Sequence, residues 1–183
     1  MKKRLALLLA VIMAVFSLGM VSFAKETNVT EMSWSDGEKA VKESGIKGSF
    51  VTLDEIDIKF WIPNDYKPVK ITDEEKEEGY IAYYENPKTK GVVSVMYVDL
   101  EGMSLENYKK ELKGMSDVKD IEDCIINDIK CIGYRMPEQD SLTLSYGTEN
   151  GYILEFTFAP VTDEDDDSIQ IPAYIMSSIM EDE

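Results

Sequence analysis

Cys124 and Cys131 are the only cysteines in the 183-residue chain. Asn127 and Asp128 stand between them. A two-residue turn there sets Ile126 opposite Ile129 and Cys124 opposite Cys131 across a hairpin. Paired antiparallel positions hold their Cα atoms about 5.5 Å apart, within the span of a disulfide. The even cysteine count in an exported chain favours that bond. The loop it closes is short, so the stabilisation is small. The competing expectation is two buried thiols in the core. Without histidine, two cysteines supply too few ligands for a metal centre.

Histidine is absent altogether. That removes Ser-His-Asp and Cys-His catalysis, His-ligated zinc and a histidine proton switch. Carboxylate pairs, Ser-Lys dyads and Thr nucleophiles stay open, and no motif marks one. No catalytic, cofactor-binding or metal-binding set is identified, and no cofactor is expected. The run Asp163 to Asp167 carries carboxylates but lacks the glycine and closing glutamate of an EF-hand loop. It reads as a solvated loop and helix start. Arg135 is the one arginine beyond the leader. The Asn127-Asp128 register sets it opposite Asp120, on the face of Glu122. A cross-strand ion pair is the expected role, and a clamp for an anionic ligand is the alternative. Trp61 alternates with the apolar residues of its strand, beside Asp57 and Lys59, so it is expected at the surface as a ligand or partner contact.

These residues need elements to hold them. Ser35 to Ser44 reads as a helix, with Ser35 and Glu38 as a capping box and Gly45 ending it. Ser49 to Leu53 and Ile56 to Ile62 read as strands, the second with clear period-two alternation. Thr72 to Gly79 is a charged helical turn with Thr72 and Glu75 as a capping box. Tyr80 to Glu85 and Val92 to Val98 form a hairpin. Its second strand is apolar on both faces and needs cover on both sides. Ser104 caps a helix to Lys113 whose stripe is Leu105, Tyr108 and Leu112. Two hairpins follow, Asp120 to Met136 and Ser141 to Ala159, the second turning near Asn150-Gly151. A closing helix spans Ser168 to Met180, with Pro172 in its first turn or at a kink. The expected fold is α+β, a mainly antiparallel sheet with helices on both faces.

The N-terminus carries an address. Lys2, Lys3 and Arg4 precede an apolar run from Leu5 to Phe16, and Ser22-Phe23-Ala24 supplies small residues for cleavage. Residues 1–24 are expected to be a signal peptide, residues 25–34 a loose lead-in, and residues 35–183 one globular domain. The leader holds three of the 19 basic residues and none of the 36 acidic ones, so cleavage takes the net charge from −17 to −20. Such a field repels nucleic acid and anionic membranes. The mature protein is expected outside the cytoplasm, with no nucleic-acid partner and no membrane insertion.

The run Gly79 to Val98, the helix from Ser104, the Asn127-Asp128 hairpin and the segment Tyr146-Gly147 to Phe156 resemble small secreted proteins of Gram-positive bacteria. Their layout is similar to the PsbP-like α/β/α sandwich, over roughly residues 35–181. The motifs are element order and turns, so no functional residue transfers. The wider fold's members act as binding or accessory proteins. The resemblance therefore implies a non-enzymatic module for a protein or cell-surface ligand. A small carboxylate-based hydrolase and an acidic cation-binding protein are the alternatives.

Overall fold

Strand alternation and turn chemistry account for most of the architecture. The computed structural model describes residues 29–53, 56–148, 151–162 and 166–182, for residues 166 and 167 the backbone alone. The predicted leader and residues 163–165 of the acidic run lie outside them.

The main sheet has eight strands. In spatial order they are β1 (Thr30–Met32), β7 (Lys119–Ile126), β8 (Ile129–Met136), β9 (Ser141–Gly147), β10 (Tyr152–Ala159), β6 (Val92–Asp99), β5 (Tyr80–Glu85) and β4 (Lys67–Pro68). Only β1 with β7 runs parallel; the other neighbours are antiparallel. A second antiparallel sheet holds β11 (Met180–Glu181), β3 (Ile58–Pro63) and β2 (Gly48–Leu53). The helices are α1 (Trp34–Ser44), α2 (Asp73–Glu77), α3 (Leu105–Gly114) and α4 (Gln170–Ser177). The fold is therefore α+β with a mixed, mostly antiparallel main sheet.

Each face of the main sheet has its own cover. Val95, Leu144 and Phe156 look toward Phe60 and Ile62 of the small sheet and toward Ile175 and Met176 of α4. Phe60 meets Phe156 edge to face at 5.4 Å, and both are fully buried. Burial of such a ring stabilises by roughly 1.5–3 kcal/mol. The opposite face carries Ile132 and Tyr134, which pack against Leu112, Leu105 and Tyr108 of α3. The stripe predicted for that helix is the one that docks. Helix α1 covers the outer side of the small sheet, where Ala40 and Val41 meet Trp61 and Tyr174.

Several expectations need correction. Strands Gly48–Leu53 and Ile58–Pro63 do not join the main sheet but belong to a second one. Residues 30–32 are not loose: they pair with β7. Ser35 does not cap α1, which begins at Trp34. The Trp34 amide is instead met by the Asn127 side-chain oxygen at 2.7 Å, and the Ser35 hydroxyl lies 2.9 Å from that of Ser33. The closing helix ends at Ser177, and Met180 pairs with Lys59 as a strand residue. Pro172 sits in its first turn, where no intrahelical N–H bond is lost.

Candidate functional site

Glu155 lies in β10, with Ser145 beside it on β9. It is 9% exposed. Its Oε1 accepts three hydroxyl donations: from Ser145 at 2.7 Å, Tyr108 at 2.8 Å and Tyr134 at 2.9 Å. No lysine among the described residues forms an ion pair with it. Burial, and then the carboxylate charge, push the Tyr108 and Tyr134 phenols up, so both stay neutral donors. The cluster holds one oriented acceptor and ties α3 to three strands. No second carboxylate is among its described partners. Sequence reasoning placed Glu155 only as one residue of a strand face. The signal was there: a lone acid in the apolar strand Tyr152–Ala159.

An open cleft of about 440 Å³ lies where the two sheets meet at one edge of the molecule. Thr52 and Leu53 of β2 form one wall, and the segment Pro68–Ile71 with Tyr83 and Tyr84 forms the other. Lys70 and Lys76 both line it. A smaller recess of about 270 Å³ adjoins it, sharing Lys70 and Tyr83 and adding Glu75 and Glu85. The two acids that line the recess are engaged elsewhere. Glu75 closes the capping box of α2 with Thr72, whose backbone N–H holds its carboxyl below the usual range. Glu85 pairs with Lys90 at 3.3 Å. Neither Lys70 nor Lys76 forms an ion pair among the described residues. Sequence reasoning singled out neither lysine, because strands β2 and β5 approach only through the tertiary fold.

The residues chosen from sequence do not converge on this cleft. Cys124 and Cys131 face each other in the predicted register, as buried free thiols. Hydrogen bonding to the Cys124 thiol, and then burial, push the Cys131 thiol up. Arg135 does not lie opposite Asp120. A bulge between Lys119 and Glu122 inserts one residue, Asp120 takes φ 53, and Lys119 comes opposite Arg135. The guanidinium is buried and donates to the Val161 carbonyl at 3.1 Å. Trp61 is not at the surface: it is 5% exposed, 6.1 Å from the Trp34 ring. Its strand face is covered by α1 rather than by water. Asp166 opens a 3-10 turn before α4. Compared with protein-family models and with curated proteins, the chain matches none.

Proposed function

We propose that this chain is an exported, non-enzymatic binding or accessory module that holds an anionic partner in the cleft between its two sheets. One observation carries the reading. Lys70 and Lys76 line an open cleft without ion-pair partners among the described residues, in a chain with 36 acidic and 19 basic residues. Cations left unpaired amid such an excess of carboxylates are suited to an incoming anion. The leader at residues 1–24 supports an address outside the cell or at its surface. A sheet with α3 on one face and α4 on the other supports the PsbP-like α/β/α plan.

The test is binding of a fluorescent oligoglutamate and an oligolysine to the mature protein. The reading expects the first to bind, and the double variant Lys70→Ala/Lys76→Ala to weaken it about tenfold or more. Binding that ignores both lysines would sink it. Export also bears on the cysteines: outside the cell, Cys124 and Cys131 are expected to oxidise. The intact mass of protein secreted without reductant should then fall two hydrogens below that of the reduced form. Equal masses would leave them as core thiols.

A further inference from the structure

We propose that the anionic partner is an extended peptide that adds as a fourth strand to the free edge of β2, with acidic side chains at the end beside Lys70 and Lys76; this rests on the cleft reading above. The order β11-β3-β2 leaves β2 with one neighbour among the described residues. The direction of its backbone groups follows from the register. Gly48 pairs with Pro63, and one step further the Asn64 amide donates to the Lys47 carbonyl at 2.9 Å. Bonded and non-bonded pairs alternate in an antiparallel ladder. Ser49, Val51 and Leu53 therefore bond to β3, and the N–H and C=O groups of Gly48, Phe50 and Thr52 project outward. The far side of β3 agrees in phase. The Asp182 amide donates to the Asp57 carbonyl at 2.8 Å, and Lys59 pairs with Met180.

Three outward positions in phase are a template for strand addition. Free edges are ordinarily blunted by lysine or proline, yet Gly48–Leu53 contains neither and no charge at all. Phe50 sits at its middle, 41% exposed, with its ring edge-on to Trp34 at 5.3 Å. That pair gives an incoming side chain an apolar platform. Thr52 and Leu53 point to opposite faces of β2, and both line the cleft. The cleft therefore runs along the strand's edge, and an added strand ends beside the two lysines.

Charge selects the occupant. A second copy of β2, paired antiparallel about Phe50 in the required phase, would set its own Lys47 opposite Leu53. That brings a third cation to Lys70 and Lys76. An acidic peptide brings the complementary charge instead.

The probe is a short Thr-Val alternating peptide with two glutamates at either end, and the same peptides with lysine for glutamate. The first readout is amide exchange in the wild-type protein. Bound acidic peptide should slow exchange at Phe50 and Thr52 and leave Ser49, Val51 and Leu53, already bonded to β3, unchanged. The second readout uses proline. Phe50→Pro removes an outward N–H and should weaken binding about tenfold or more relative to Phe50→Ala. It should unfold near the same temperature as Phe50→Ala, whereas Val51→Pro breaks a bond to β3 and destabilises. Lysine-dependent binding with no protection at Phe50 and Thr52 would overturn strand addition and leave the cleft reading standing. No binding of either acidic peptide would overturn both. Self-association that depends on Phe50, without peptide binding, would give the edge to a second copy and overturn the peptide.

Discussion

Asn127 does more than turn the chain. Its φ of 47 suits the first position of a two-residue hairpin turn. That role is legible from Asn127-Asp128 alone. Its side chain is not: Oδ1 accepts from the Trp34 amide, and Nδ2 donates to the Ser177 and Ile179 carbonyls at 2.8 Å each. These partners lie 50 to 93 residues away in sequence, so no local pattern announces them. Asn127→Gly keeps the left-handed turn and deletes all three bonds. Urea denaturation should report a loss of about 2–3 kcal/mol; a loss below about 0.5 would mean solvent satisfies these groups equally well. Glu122 gives a pH signature. Burial, and then Asp120, push its carboxyl up to about 7. The folded chain holds that proton more tightly than the unfolded chain. This contribution is therefore complete below the ordinary glutamate pKa of about 4.3 and is lost as pH rises through 7. Glu122→Gln should gain stability relative to wild type between about pH 5 and pH 8. Solvent screening limits that gain to about 1 kcal/mol. A thermal-melt series in which the two proteins stay parallel would exclude the effect.

At the scale of elements, local signals served well and their covers did not. Helix α2 shows its predicted capping box, with Thr72 and Glu75 bonded both ways. Helix α3 starts at Ser104, whose hydroxyl accepts from the Asn107 amide at 3.3 Å. Trp61 was misplaced because alternation names two faces without saying what lies against each. Glu155 is the same lesson from the other side, a polar residue in an apolar strand whose partners come from α3 and two neighbouring strands. Helix α3 presents only Leu112 as a fully buried residue, so its polar ties count for more. One is Tyr108 to Glu155; another is the Lys109–Asp123 ion pair to β7. Tyr108→Phe keeps the ring and removes one charge-assisted bond, at about 1.5–3 kcal/mol. Glu155→Ala orphans three hydroxyls and should cost about 3–5 kcal/mol. Hydrogen exchange should rise in α3 for Tyr108→Phe while β9 and β10 stay protected. Uniform loosening across the sheet would instead make the cluster a general core support.

At the scale of the molecule, hairpins between consecutive strands were readable and pairings between distant ones were not. The turn between β7 and β8 fixes the register from Ile126 opposite Ile129 as far as Glu122 opposite Gly133, ahead of the bulge, but nothing local puts β6 against β10 or β1 parallel to β7. Those choices satisfy strands that are apolar on both faces. Charge acts on the same whole. A net −17, or −20 if residues 1–24 are removed, sets the surface against itself and lowers stability through mutual repulsion. Salt screens that repulsion over about 10 Å at 0.1 M. The melting temperature of the protein should therefore rise by a few degrees as sodium chloride is increased from low to moderate concentration. No group of three or more carboxylate or cysteine side chains gathers as a metal site among the described residues. The gain should accordingly be the same for calcium as for magnesium at equal concentration, because diffuse screening does not distinguish them. A built oxygen cage would, since calcium accepts more ligands in looser geometry. A larger stabilisation by calcium, saturating at low concentration, would revive the cation-binding reading and point it to the acidic run between Val161 and Ser168.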